Sequence, residues 1–373
     1  MEYIENVDYW FYHKTIIIKS HYDKKFSDMD FSTIDNNFIN IVFNNYGDFT
    51  SSINYINKTK NFIDSNFYSR FNQLVDDLPL NIESIVFGCL FNQQVNNLPR
   101  NLKTITFGLN FNQLIDNLPY GTSNLAFGFN FNQRVNNLPQ NLKFITFGSN
   151  FDQRVNKLPP TLISIIFHYH FNQQVNNLPI NLNYIRFDFN FNLPVDKLPN
   201  KLSRLFFGHK FNQSVNNLPQ TLLDLTFGWR FDRVVDNLPL SLINLTFGCC
   251  FNCPVDNLPH NLKVLIFDNS FNQSVDNLPN SITHITFSRC FNQSVNYLSN
   301  SITHVIFNEF FNQSVDNLPS SITHITFGER FNQLVDNLPS SITHIAFGIF
   351  YNNLLNCLPN SVEKIYLSPK YVK

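Results

Sequence analysis

The chain has 373 residues, a formal net charge of -1 and an aromatic content of 16%. Disordered chains lack aromatics and carry high net charge, so this one folds. The neutral balance also excludes the broad basic field that would hold nucleic acid or an anionic membrane.

The bias within that composition is severe. Phe occurs 42 times and Asn is commoner still, whereas a generic core spreads its apolar content over Leu, Ala and Val. Such a bias points to repetition. The N-terminus, MEYIENVDYW, is acidic and aromatic with no basic segment leading into an apolar one, so no secretory signal is expected. No apolar run is long enough to span a bilayer. Six scattered Cys in a long chain read as free thiols in a reducing, cytoplasmic setting. Sequons such as Asn272-Gln273-Ser274 and Asn244-Leu245-Thr246 occur in an Asn-rich chain, the Asn-Gln-Ser ones at one fixed repeat position, and are read as coincidence.

In chain order, a short strand or helix is expected around Thr15–Lys19. Phe31, Ile34, Phe38, Ile41 and Phe43 then follow at a spacing that becomes the rule further on. From Phe71 to the unit opening at Tyr351, fifteen units of twenty residues run without insertion or deletion. Their consensus is F-N-Q-x-V-D/N-N-L-P-x-S-I/L-x-x-I-x-F-G-x-x. Positions 1, 5, 8, 12, 15 and 17 are apolar, as in Phe331, Val335, Leu338, Ile342, Ile345 and Phe347. A lone twenty-residue peptide cannot bury six such side chains, but a stack of similar coils can.

Positions 12 to 17 alternate: Ile285 and Phe287 point one way, His284 and Thr286 the other. That period predicts one short strand per coil, with successive strands parallel and about 4.8 Å apart. Pro at position 9 sits before the strand, where a missing N–H matters least. Gly at position 18 is expected to supply a positive-φ bend. The return segment, F-N-Q-x-V-D-N-L-P, is too β-branched and Asn-rich for a long helix and is expected to be extended or 3₁₀. Asn at positions 2 and 7, with Asp or Asn at 6, should form ladders through the stack.

By the same spacing, Phe31 to Phe43 match positions 5, 8, 12, 15 and 17, and Phe62 and Phe67 match positions 12 and 17. Residues 1–70 are therefore read as an N-terminal cap with two degenerate repeats. Residues 71–370 form one solenoid of fifteen repeats. Its last repeat, with Ile365-Tyr366-Leu367-Ser368-Pro369-Lys370 and residues 371–373, is read as a lysine-bearing C-terminal cap.

The run L-P-x-S-L-x-x-L-x-F-G-x-x-F-N-Q-x-V-x-x-L-P resembles the FNIP repeat, a leucine-rich-repeat-like unit expanded in social amoebae and amoeba-infecting giant viruses. The resemblance covers about four fifths of the chain. Position 3 is mostly Gln, and Asn192-Leu193-Pro194 and Asn252-Cys253-Pro254 come nearest to the founding tetrad. The resemblance implies a leucine-rich-repeat-type solenoid that binds proteins. Some relatives carry an N-terminal F-box that docks a ubiquitin-ligase scaffold; no F-box helix bundle is read in residues 1–70.

A regular stack offers no cleft for nucleophilic catalysis, and no phosphate loop or zinc framework is present, so no enzyme and no cofactor is expected. Cys249, Cys250 and Cys253, with Cys290 two units on, read as small side chains at variable turn positions rather than metal ligands. His284, His304, His324 and His344 share position 14 and should stack on the strand face. Two readings stay open: a row that binds a metal ion or senses pH, or a trace of recent duplication of the S-I-T-H units. On the same face Phe144, Tyr184, Arg186, Arg204 and Phe206 stand out, with Trp229, Tyr169 and Phe189 on the adjoining turns. They are the residue types that dominate interfaces, or else drift in a Phe-rich chain. The expected function is a monomeric, non-enzymatic scaffold binding an unknown protein partner through its strand face. A self-assembling solenoid and a ubiquitin-ligase adaptor are the alternatives.

Overall fold

The structure is a computed structural model that describes residues 3–5, 9–12, 14–19, 22–25, 28–29, 40–43, 69–355 and 357–367. The chain divides into two compact units, Met1–Asn190 and Phe191–Lys373, each taken by itself below.

In the first unit, β1 (Tyr3–Glu5), β2 (Tyr9–Tyr12) and β3 (Thr15–Ile18) form an antiparallel meander. Lys14, at φ 59°, sits at the reversal between β2 and β3. The segment around Thr15–Lys19 is thus a strand, and its Ile16, Ile17 and Ile18 are fully buried. Parallel pairing begins at β4 (Asn40–Phe43), which lies between β3 and β5 (Ser84–Val86). It continues through β6 (Thr104–Thr106), β7 (Asn124–Ala126), β8 (Phe144–Thr146), β9 (Ser164–Phe167) and β10 (Tyr184–Phe187).

The second unit repeats the plan. It holds β11 (Arg204–Phe206), β12 (Asp224–Thr226), β13 (Asn244–Thr246), β14 (Val264–Ile266) and β15 (His284–Thr286). Then follow β16 (His304–Ile306), β17 (His324–Thr326), β18 (His344–Phe347) and β19 (Lys364–Leu367). Each strand pairs in parallel with the next, residue i opposite i+20, as in Leu225 with Leu245.

The fold is a parallel β-solenoid with one strand per twenty-residue coil, and no α-helix occurs among the described residues. The return segments are extended, broken by turns at positions 6–7, 10–11 and 19–20. Pro at position 9 closes the second turn by accepting from the N–H at position 12, as Pro99 does from Leu102 at 3.2 Å.

The six apolar positions build the core as the spacing predicts. In the unit opening at Phe331 all six lie buried, Leu338 least deeply at 7%. Phe at positions 1 and 17 forms two spines. Phe91, Phe111 and Phe131 stack at 6.0 and 6.1 Å, and Phe87, Phe107 and Phe127 at 5.3 and 5.5 Å. The spines also touch, Phe107 meeting Phe111 at 3.8 Å. Each such ring pair adds about 0.5–1.5 kcal/mol beyond the area it buries.

The Asn ladders are present, and their logic is that of acceptors. Asn92 Oδ1 accepts from the backbone N–H of Asn112 at 2.8 Å and from Gln113 Nε2 at 3.2 Å, one coil on. The side chain thus stands in for a backbone carbonyl where the return segments do not pair. Asp152 and Asp232 keep the backbone bond at this position because only an acceptor is needed. A second ladder joins Asn at position 7 to Asx at position 6 of the preceding coil, as Asn137 to Asp116 at 3.2 Å.

One expectation needs correction. No glycine has positive φ among the described residues. Where position 18 is Gly the reason is crowding: a Cβ on Gly128 would lie 2.1 Å from the carbonyl oxygen of Gly108 in the coil before. The second degenerate repeat, with Phe62 and Phe67, lies outside the described residues, and β4 pairs directly with β5. The first register does hold where it is described. Ile41 lies opposite Ile85, and the Phe43 ring stacks on Phe87 at 5.7 Å. Of the first set, Phe31, Ile34 and Phe38 lie outside the described residues. At the other end, β19 pairs in register with β18, while Ile365, Tyr366 and Leu367 stay exposed; residues 368–373 lie outside the described set.

Candidate functional site

Because positions 15 and 17 point inward, positions 14 and 16 of every strand present an outer sheet face. In the first unit Phe144 on β8 is 46% exposed, while Tyr184 and Arg186 on β10 are half-buried. Ser164 on β9 lies in register with both Phe144 and Tyr184, so two strand spacings, about 9.6 Å, separate them. Beyond the strand ends, position 19 adds Tyr169 and Phe129, both exposed. Tyr169 stacks on Phe189, centroids 4.4 Å apart at 8°. Phe129 is absent from the sequence-derived set, although aligning the repeats places it in the same row as Tyr169 and Phe189. Beside them His168 Nδ1 lies 3.4 Å from Asp188, and that hydrogen bond holds the carboxyl below its ordinary range.

In the second unit Arg204 is exposed on β11 and Phe206 half-buried. Arg204 lies in register with Asp224, and Phe206 with Thr226. Trp229, at position 19 and 51% exposed, stacks against His209 at 5.7 Å. The interface residues read from the sequence therefore fall in both units: Phe144, Tyr169, Tyr184, Arg186 and Phe189 in the first, Arg204, Phe206 and Trp229 in the second.

The four His stack as expected, on β15 to β18. Adjacent rings lie 4.3 Å apart at 12–14°. What the sequence did not show is the lock on each ring. Every Nδ1 lies 2.9 Å from the hydroxyl of the preceding Thr: Thr283, Thr303, Thr323 or Thr343. Each hydroxyl in turn donates, at 3.2 Å, to a carbonyl one coil back. A hydroxyl has one proton to give, so it accepts from Nδ1–H, and the lone pair of the neutral ring sits on Nε2.

This geometry does not suit an ion shared between neighbours. The lone pairs run parallel, each in its own ring plane, whereas a shared zinc must lie about 2.0–2.1 Å from both nitrogens along both lone pairs. Among the described residues no cluster of three or more His, Cys, Asp or Glu is arranged to hold a metal.

The cysteines are also placed. Cys249 is buried with its thiol 3.0 Å from Asp268, and Cys253 lies 3.3 Å from Asp232. Burial, then the hydrogen bond to the neighbouring carboxylate, pushes each thiol up to about 11, so both are poor nucleophiles. Cys250 and Cys290 are exposed. Asn272 of the sequon is engaged in the position-2 ladder through Oδ1. No helix of the described residues is long and apolar enough to cross a membrane.

The sequence profile of the FNIP repeat matches residues 71–110, 129–170 and, in overlapping pairs of units, 251–370. The chain belongs to the FNIP repeat family. This FNIP chain is similar to a solved structure described as CroV588, a novel circular LRR protein, with a TM-score of 0.77 and 33% identity. The match covers 96% of this chain and 60% of that one, so the FNIP chain spans less than two thirds of that protein's length. YopM from Yersinia enterocolitica matches at TM-score 0.31 and 17% identity, over 78% of this chain and 88% of its own. The functional domain of InlJ from Listeria monocytogenes matches at 0.44 and 11%, over 74% and 60%. No curated protein matches the FNIP chain in sequence.

Proposed function

We propose that this protein is a non-enzymatic scaffold that binds a protein partner on the outer face of its parallel sheet. The observation that carries the reading is the contrast between rows. Inward positions are nearly invariant, whereas positions 14, 16 and 19 vary from coil to coil and gather Phe129, Phe144 and Tyr169, each more than 40% exposed. Monomers rarely expose large aromatics together on a rigid surface without a use for them, and aromatic and Arg side chains anchor interfaces.

The catalytic alternative has weaker support. His168 and Asp188 resemble two members of a triad, but the preceding rung of that row is Gly148, which offers no nucleophile. An open hollow of about 380 Å³ in the second unit is lined by Asp268, Arg289, Glu309 and Glu329, with Arg289 paired to Glu309. No Ser or Cys faces a base there.

The reading is tested by affinity capture from the native cell with wild-type chain and a Phe144→Ser, Tyr169→Ser variant. Loss of the same proteins from the variant, at unchanged thermal stability, supports it. Equal recovery removes it.

A further inference from the structure

The stacked imidazoles have a property that a passive outcrop of duplicated sequence lacks: a fixed tautomer that can take up protons without losing its hydrogen bond. The Nδ1–H to Thr bond at 2.9 Å is the same in the neutral ring and in the cation. Protonation adds a hydrogen only at Nε2, which the Thr does not touch. The row therefore charges in place, and each new donor points the same way.

The surroundings decide what such a charge meets. Val264 on β14 lies beside His284, and Lys364 on β19 lies beside His344. Along one side runs the Thr row, ended by Lys263 and Glu363. Along the other side, position 16 carries Thr286, Ile306, Thr326 and Ala346. None of positions 13, 14 and 16 on β15 to β18 carries a carboxylate. Past the strands, Glu309 is held by Arg289, and Glu329 and Arg330 follow one coil on. The four-strand face is thus uncharged when its His are neutral. With the His protonated it carries up to four positive charges, extended by Lys364.

We propose that His284, His304, His324 and His344 form a proton-gated docking strip, uncharged while its rings are neutral and a row of cationic donors for a carboxylate-rich peptide segment once they take up protons. Ring centroids 4.3 Å apart lie well inside the Debye length of about 8 Å, so the charges act on a ligand as one field. An extended acidic segment laid along the strip relieves the repulsion between neighbouring cations and so promotes their protonation, which makes binding and proton uptake mutually reinforcing. His304 and His324 support this: burial first, then the charge of neighbouring His, keeps both below the ordinary imidazole value, so they stay neutral until the medium is acidic. The inference rests on the reading that the sheet face is the docking face.

The test uses the full chain and a dye-labelled poly-glutamate of about 20 residues, with fluorescence anisotropy at pH 7.5 and 5.5 in low salt. Wild type is expected to bind about tenfold or more tightly at the lower pH. A variant with all four His replaced by Gln should lose that gain while keeping its circular dichroism and its urea midpoint at pH 7.5. Equal binding by the Gln variant at pH 5.5, or no pH dependence in wild type, overturns the proposal. A second measurement stands even if the Gln variant does not fold. NMR titration of the wild-type imidazoles should show protonation between pH 7 and 5 with the Nδ1-protonated tautomer above it. Rings that stay neutral at pH 5 refute the strip. Because the peptide is supplied directly, this test can fail while native partners are still captured at neutral pH, and the reverse.

Discussion

The rings of Phe43 and Phe71 stack with their centroids 4.1 Å apart, although 27 residues separate them in the chain. Phe87 and Phe91 make the same contact, at 4.0 Å, across only three. Phe43 therefore occupies position 17 of a coil that precedes the first regular repeat. Asp23 supports this, because its Oδ1 accepts from the N–H of Asn72 at 3.1 Å as the ladder Asn does elsewhere. Tyr22, 6.4 Å from Phe71, stands where position 1 of that coil belongs.

If Phe43 is part of the spine, its loss should cost as much as that of any regular spine residue. Phe43→Ala is expected to destabilise the first unit by about 3–5 kcal/mol, the usual range for a buried Phe. Urea unfolding followed by tyrosine fluorescence measures it. A cost under about 1 kcal/mol would place Phe43 outside the core.

The crowding at position 18 separates two glycines of the same unit. A Cβ on Gly128 would lie 2.1 Å from a backbone carbonyl oxygen, while one on Gly121 would lie 3.4 Å from its nearest neighbour. Gly128→Ala should destabilise by about 1–3 kcal/mol through overpacking. Gly121→Ala should be within about 0.5 kcal/mol of wild type. Thermal melts of the two variants side by side check both, and equal melting temperatures would refute the crowding account.

The ladder at position 2 asks for an acceptor, not for an amide. Asn92→Asp keeps both bonds to the next coil and is expected to be nearly neutral. Asn92→Leu strands the N–H of Asn112 and should cost about 1–3 kcal/mol, the penalty for an unpaired, part-buried donor. Chemical denaturation of the two variants distinguishes them. A destabilised Asp variant would mean that the amide nitrogen matters as well.

The sequence disclosed what repeats. Period, strand placement, both Phe spines and the Asn ladders follow from positions that recur every twenty residues, because each coil must present the same surface to its neighbours. It did not disclose why Gly stands at position 18, since close backbone approach has no pattern of its own and mimics a turn signal. It did place Phe43, because the spacing from Phe31 puts that residue at position 17, where its ring joins the spine of Phe87. The Thr–His locks were equally hidden: S-I-T-H is visible, but Thr283 meets the Nδ1 of His284 because it precedes β15, outside the regular pleat that would send the two side chains to opposite faces.

Titration of the inner His predicts an acid limb of stability. Their folded values lie below the unfolded value, so as pH falls the unfolded chain binds protons first. Stability is then complete above about pH 6.5 and declines as pH drops through that value toward the folded ones. A His304→Gln, His324→Gln variant should lose less of its urea midpoint between pH 7.5 and 5.5 than wild type does. An unchanged decline would mean that carboxylates alone set the acid limb.

The central claim, a docking function confined to the outer sheet face, meets its most direct test in capture from the native cell with two matched variants of the first unit. One replaces Phe144, Tyr184 and Arg186 on the face with Ser. The other replaces Leu80, Tyr120 and Ile180, which are exposed at position 10 on the turns before the strands, with Ser. Quantitative mass spectrometry should show the partners lost with the face variant and retained with the turn variant. Partners retained by the first and lost from the second would contradict the account.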